Sequence, residues 1–193
     1  MMASEAAAAA GPGEGLRYSS VAVALHWAIA TLIVANLLLG IFHESFARPV
    51  TAWMMFFHKA IGITILALTL VRLAWRAGHR APPFDPVLKP WERALASLTH
   101  WGFYLLLLAI PLTGWMLSSS SNRATSWFGL FDIAPLPVSR SDAAHDLFEE
   151  LHELLGYAMI VLILLHVAGA LKHHLQGHRH LIGRMAPWIY RRG

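Results

Sequence analysis

The chain has 193 residues, of which 56% are hydrophobic and only 13% are charged, whereas soluble domains carry about 25% charged residues; the composition therefore indicates a membrane protein. The sequence contains no cysteine, which excludes disulfides, cysteine-ligated iron–sulfur clusters, thiolate zinc sites and covalently attached c-type haem. The formal net charge of +4 is expected to reflect orientation in a membrane, so no nucleic-acid partner is predicted.

The chain begins with a stretch of small residues, MMASEAAAAAGPGEG. This stretch lacks the basic start and the bulky apolar core of a cleaved signal peptide. We expect residues 1–16 to form a disordered tail. The remainder is predicted to comprise one helical domain over residues 17–187 and a short basic tail over residues 188–193.

Four apolar stretches follow, and each is long enough to cross a hydrocarbon core, which takes about 20 helical residues. They run approximately over Val21–Ile41, Trp53–Ala74, Leu95–Leu117 and Phe148–Leu171. Backbone groups in lipid must be satisfied within the protein, so these stretches are predicted to be helices. The sequence therefore predicts an all-α fold, an integral membrane four-helix bundle in contact with membrane lipid.

The basic residues predict how the bundle is oriented. Eleven flank the side that holds both termini and the connection after the second span: Arg17, Arg72, Arg76, Arg80, Lys89, Arg93, Lys172, Arg179, Arg184, Arg191 and Arg192. Four flank the opposite side: Arg48, Lys59, Arg123 and Arg140. Basic residues are enriched on the cytoplasmic side of membrane proteins, so both termini are predicted to be cytoplasmic. The longest outer connection, roughly residues 118–146, carries Trp127 and Phe128, which suit the headgroup zone, and its simplest interpretation is a mobile loop.

Twelve histidines are many for this length. Seven lie in connections or tails, where solvated or headgroup-facing histidine is the default: His43, His79, His145, His173, His174, His178 and His180. Five lie within or at the ends of spans, where an ionisable group is costly and usually functional: His26, His58, His100, His152 and His166.

The fourth span carries two histidines, His152 and His166, that lie 14 residues apart. That spacing is about 21 Å along a helix and returns to nearly the same face, so the two imidazoles can serve two separate sites. His26 lies at the depth of His166 near the cytoplasmic side, and His58 lies at the depth of His152 near the outer side. The depths predict two histidine pairs, although each histidine could instead be a core residue hydrogen-bonded across helices.

Small residues stand four positions after each paired histidine: Ala30, Gly62, Gly156 and Ala170. A side chain at this offset covers the same face one turn away, so a flat macrocycle ligated by the histidine would need it to be small. His100 is followed at this offset by Tyr104, which argues against an axial role. Bis-histidine haem leaves the iron no open position, which favours electron transfer. Zinc is disfavoured because HELLG at His152 lacks the second histidine of HExxH, and the stretch KHHLQGHRH lacks acidic ligands.

These residues resemble the bacterial cytochrome b561 family over roughly residues 17–187. The resemblance is carried by RYSSVAVALHW, FFHKAIGI, AIPLTG, the pairs NR and WF at Asn122–Arg123 and Trp127–Phe128, LHELLGY, ILLHVAGALKHH and RMAP. The 32-residue spacing in the first histidine pair and the 14-residue spacing in the second make the match specific. The resemblance implies a multi-pass protein of the bacterial inner membrane with two haem b groups, one ligated by His26 and His166 and the other by His58 and His152.

The family includes superoxide oxidase, and the resemblance implies that superoxide is oxidised to oxygen at the outer face and ubiquinone is reduced. Candidate quinone-binding residues near the inner haem are His173, Lys89, Arg76 and Arg93. One feature argues against the activity, because the charges of the outer connections are slightly acidic in sum, and superoxide is an anion. The alternatives are an electron-transfer subunit relaying between quinol and a partner redox protein, and a non-redox bundle whose histidines relay protons or metal.

Overall fold

The computed structural model describes residues 18–79, 81–121 and 123–188. In chain order the helices and strands are α1 (Ser20–Phe42), a short 3-10 helix (His43–Ser45), α2 (Arg48–Gly78), α3 (Pro90–Ser120), β1 (Thr125–Trp127), β2 (Phe131–Ile133), α4 (Asp142–Leu175) and α5 (Arg179–Gly183). The predicted tail over residues 1–16, most of the predicted tail over 188–193, and the residues Arg17, Arg80 and Asn122 lie outside the described residues.

Helices α1 to α4 are each long and apolar enough to cross a membrane, which confirms the predicted four-helix bundle. Each helix extends beyond the apolar stretch from which it was predicted, because local signals set its ends. Ser19 and Ser141 cap α1 and α4 by accepting from the backbone N–H groups of Ala22 and Ala144. Helices α2 and α3 have proline in the first turn, where no backbone N–H is needed. The words inner and outer are used below for the predicted cytoplasmic side and its opposite.

The helices pack in chain order, α1 against α2, α2 against α3, and α3 against α4. Over most of its length the backbone of α4 stays apart from those of α1 and α2 in the described part of the chain. Apolar side chains from all four helices meet halfway across the bundle: Ile29, Ile33, Ile65, Leu106, Leu107 and Met159. Met159 is the one buried residue that α4 contributes in the described structure. The bundle thus has a tight apolar middle with a gap beside α4 toward each end.

The outer connection contains a two-stranded antiparallel hairpin, which the sequence did not predict. Thr125 pairs with Ile133 and Trp127 with Phe131, and the turn contains Phe128 and Gly129 at positive φ. The hairpin packs on α2, where the Trp127 indole N–H donates to the Thr64 hydroxyl over 3.1 Å. The expectation of a loop was therefore wrong for this part, because these tertiary contacts stabilise strands that are too short to be recognised from their sequence pattern.

The C-terminal segment crosses the inner end of the bundle. The His180 Nε2 atom lies 3.0 Å from the Asp85 carboxylate, and the Arg184 guanidinium donates to the Pro83 carbonyl over 2.7 Å. The Trp27 indole N–H, at the inner end of α1, donates to the Met185 carbonyl over 2.7 Å. These contacts fasten the C-terminal segment to α1 and to the connection between α2 and α3.

Asp85 is the charged residue that contacts the C-terminal segment, through His180. Burial acts to raise the pKa of its carboxyl group, but hydrogen bonds from the Val87 N–H and from His180, together with the Arg184 charge, outweigh burial and hold the pKa below its ordinary value of 3.8. Because the folded pKa is the lower one, the ionised carboxylate contributes its full stabilisation above pH 3.8 and loses it as the pH falls through the folded pKa.

We predict that Asp85→Asn loosens the C-terminal segment by about 1 kcal/mol at neutral pH, because a charge-assisted contact is lost. Hydrogen exchange of the amides over residues 181–186 measures the effect and should be several-fold faster in the variant. In the unmodified protein the same loosening should appear only below pH 3.8. Asp132→Asn, an exposed change in the hairpin, is the control, and equal exchange in the Asp85 variant and the unmodified protein would contradict the prediction.

Candidate functional site

The outer histidine pair joins α2 to α4. The ring centroids of His58 and His152 lie 5.9 Å apart with an angle of 82° between the ring planes. The Nδ1 atom of His58 lies 3.0 Å from the Asn36 carbonyl of α1, and that of His152 lies 3.0 Å from the Ile110 carbonyl of α3. A carbonyl can only accept, so each ring carries its hydrogen on Nδ1. Each Nε2 atom is then left with a lone pair suited to a metal.

A glycine stands four residues after each of these carbonyls and makes room for the ring. A Cβ atom on Gly40 would lie 3.0 Å from the His58 Cε1 atom, and one on Gly114 would lie 2.9 Å from the His152 Cε1 atom. Both imidazoles therefore rest against a helix backbone where a side chain would displace them. We did not assign these glycines from the sequence; the signal available there was their spacing, Asn36 to Gly40 and Ile110 to Gly114.

The inner level holds three histidines. The ring centroid of His166 lies 6.4 Å from that of His26 on α1 and 6.1 Å from that of His100 on α3. The sequence prediction therefore pairs two residues that do lie together, but His100, which it set aside, is equally near. Ring distance alone does not separate the two partners, so the preference for His26 rests on Ala30 standing where His100 has Tyr104.

The donor set and the space around it fit a haem. A metal–imidazole bond is about 2 Å long and the ring centre lies about 1 Å beyond the nitrogen, so two imidazoles on one metal have centres about 6 Å apart. Both predicted pairs match this value. A Cβ atom added to Gly156 would meet nothing within 4 Å, so the face of α4 beside His152 is open. Within the described residues, none of the four histidines hydrogen-bonds to another histidine, which disfavours a purely structural quartet.

Helix α4 carries four histidines and one methionine at intervals of seven residues: His145, His152, Met159, His166 and His173. Seven residues span two helical turns, so these side chains follow one face of the helix. Met159 lies midway between the two pairs and is 2% exposed. At the outer end, the Nδ1 atom of His145 lies 2.8 Å from the Ser121 hydroxyl. The apolar middle layer therefore separates two polar sites that share one helix.

One cation, Lys59, lies beside the outer pair, and a second, Arg123, lies near Lys59. Lys59 follows His58 in the chain and is half-buried, and the Arg123 guanidinium lies within electrostatic reach of it. Glu153 beside His152 is the acidic group within electrostatic reach of that histidine. The sum of charges over the outer connections concealed this local cationic pair, since the two residues are separated by more than 60 positions in the chain.

The four candidate quinone-binding residues fall into different surroundings. The His173 Nε2 atom lies 3.9 Å from the Glu92 carboxylate, which also binds Lys172 over 2.7 Å. Lys89 caps α3 and its backbone N–H donates to the same carboxylate over 2.8 Å. Arg93 donates to the carbonyls of Leu88 and Pro86 and so braces the inner connection. Arg76 lies apart from these, over the ring of Tyr104.

Comparison with known proteins gives consistent similarities. The profile of the prokaryotic cytochrome b561 family matches residues 17–188. Cytochrome b561 homolog 2 of Escherichia coli is 30% identical over 82% of this chain and 85% of its own length. The probable superoxide oxidase CybB of Yersinia pestis is 30% identical over 89% of this chain and 96% of its own length. Cytochrome b562 of Cereibacter sphaeroides is 28% identical over 88% and 96%, respectively.

We predict that Gly114→Ala displaces the His152 ring and costs about 1–3 kcal/mol of stability through overpacking. Thermal unfolding and the amount of bound haem measure the effect. Gly78→Ala, at the end of α2, is the control, since its Cβ atom would meet nothing within 4 Å. A Gly114 variant as stable and as rich in haem as the Gly78 variant would contradict the prediction.

Proposed function

The chain belongs to the prokaryotic cytochrome b561 family of membrane electron-transfer proteins, and from this we propose that it is a superoxide:ubiquinone oxidoreductase of the bacterial inner membrane. The proposal assigns one haem b to His26 and His166 and a second to His58 and His152. The observation that carries it is the arrangement of two imidazole pairs at matched separations, 5.9 and 6.4 Å, at two depths of one bundle. A bis-histidine site favours electron transfer because the iron keeps no open position.

Two haems held in this way would supply one-electron carriers about 21 Å apart along α4, enough to conduct an electron from one face of the bilayer to the other. The chain's own contribution is to hold the imidazoles rigidly and to keep water out. The Asn36 and Ile110 carbonyls fix the outer rings, and the layer around Met159 keeps the space between the pairs apolar.

The outer surface supports superoxide as the electron donor. Lys59, which follows His58 in the chain, and Arg123 near it form a local cationic pair, which would raise the concentration of a small anion at this end of the bundle. Superoxide needs no protein nucleophile, since it loses one electron and leaves as oxygen. A relative that spans nearly the whole chain is named a probable superoxide oxidase, which supports the same donor.

The inner surface supports a quinone as the electron acceptor. The His173 ring is largely buried, and its Nδ1 atom has no hydrogen-bond partner among the described residues. A buried polar atom normally has a partner, and a quinone carbonyl can accept from an imidazole N–H. Glu92 and Lys172 meet beside this ring and can pass protons from the cytoplasmic side. In sum, two superoxide anions, one ubiquinone and two protons give two molecules of oxygen and one ubiquinol.

Mixing the purified protein with superoxide and ubiquinone tests the proposal. We expect two haems per chain, reduced by superoxide well above the uncatalysed rate, with ubiquinol formed. Absence of haem bands would end the proposal outright. Haems that superoxide does not reduce, but that quinol and a partner redox protein do, would instead favour the electron-relay alternative.

We predict that His152→Ala removes the outer haem and leaves much of the inner one, because only the outer pair loses a ligand. A haem count with low-temperature absorption spectra measures this, and His145→Ala, on the same face of α4, is the matched control that should keep two haems. Two haems retained in the His152 variant would refute the pairing.

We also predict that replacing Lys59 and Arg123 with Gln lowers the rate of haem reduction by superoxide by about tenfold or more and weakens its dependence on ionic strength. Stopped-flow measurement over a series of salt concentrations gives both quantities. Arg140→Gln removes one outer charge at an exposed position and is the control. An equal fall in rate in the control and in the double variant would contradict a specific role for the cationic pair.

A further inference from the structure

A cavity of about 580 Å³ opens at the inner end of the bundle between α1, α2 and α3. Its lining includes Arg72, Arg76, His79, Tyr18 and Tyr104. The lining includes no acidic residue in the part of the chain that the structure describes. The cavity therefore carries a net positive charge at the inner end of the bundle.

The two guanidinium groups have few partners. Arg72 donates to the Ala22 carbonyl over 3.2 Å, and Arg76 lies 5.8 Å from the ring centroid of Tyr104. Neither forms an ion pair with a described residue. A guanidinium carries five N–H donors, so most of the donors of both side chains remain available. Arg76 turns toward α3 at the Tyr104 ring, where an arginine that only snorkels to lipid phosphate would turn outward.

The cavity adjoins the inner histidines. Ala22, which lines it, precedes His26 by four residues and so lies one turn closer to the cytoplasm on the same face of α1. The Arg72 charge is within electrostatic reach of both His26 and His100, and the Arg76 charge is within reach of His100. An anionic group attached to whatever the inner histidines hold would enter this cavity directly.

We propose that the cavity binds the carboxylate side chains of the inner haem, with Arg72 and Arg76 as the anion receptors and the Tyr104 hydroxyl as a further donor. The inference rests on the proposed di-haem function. Haem b carries two propionate groups at one edge, and arginine matches a carboxylate with two parallel hydrogen bonds. Positive charge beside the haem favours its reduced form, so the cavity would also direct electrons toward the inner side.

The test uses the haem-loaded protein with Arg72→Gln, Arg76→Gln and, as a charge-matched control on the same side, Arg179→Gln. Each is titrated potentiometrically while absorption spectra separate the two haems. The comparison is made at the potential where the inner haem of the unmodified protein is half reduced. At that potential we expect the ratio of reduced to oxidised inner haem to be about tenfold lower in each cavity variant, because one nearby positive charge is lost. The outer haem and the control should not change.

The outer haem reports whether each variant has folded. Loss of the inner haem in a Gln variant that keeps the outer haem, with recovery in Arg72→Lys or Arg76→Lys, would also support the inference. Unchanged potentials would overturn the inference. Weaker ubiquinone binding by the variants would then assign the cavity to quinone, and an altered response to anionic lipid vesicles would assign it to lipid phosphate. A protein without haem would instead refute the proposed function.

Discussion

An imidazole inside a membrane must find partners for two ring nitrogens where no water is available, and the architecture follows from how this chain meets that demand. In the outer pair, one nitrogen of each ring bonds to a backbone carbonyl of a neighbouring helix. A glycine in the next turn of that helix leaves the space that the ring needs to reach the carbonyl. The second nitrogen of each ring is left with a lone pair suited to a metal. The positions of the imidazoles therefore depend on both the helix packing and the glycines.

The two ends of the bundle meet this demand differently. The outer rings are braced by the backbone, whereas the inner rings have no hydrogen-bond partner among the described residues and instead have two guanidinium groups nearby. Backbone carbonyls are weakly negative and guanidinium groups are positive, so the two sites differ in electrostatic environment even though both are histidine pairs. Such a difference would give haems bound at the two levels unequal reduction potentials.

Much of the fold was predictable because it depends on patterns among residues that are close in the sequence. The length of the apolar stretches predicted the four helices, and the 14-residue spacing of His152 and His166 predicted two separate histidine clusters along one helix. What could not be predicted depends on contacts between distant parts of the chain. The nearness of His100 to His166, the pairing of Lys59 with Arg123 and the contact of His180 with Asp85 each join residues more than 60 positions apart. The hairpin was missed for the same reason, since its strands depend on α2.

The position of α4 at the end of the bundle sequence has a consequence for biogenesis. Every proposed pair takes one histidine from α4, so neither site is complete until α4 has entered the bilayer. The first three helices can associate through α1, α2 and α3 contacts and await it as a preassembled half. Haem held by these pairs would therefore enter only after α4 has joined the bundle.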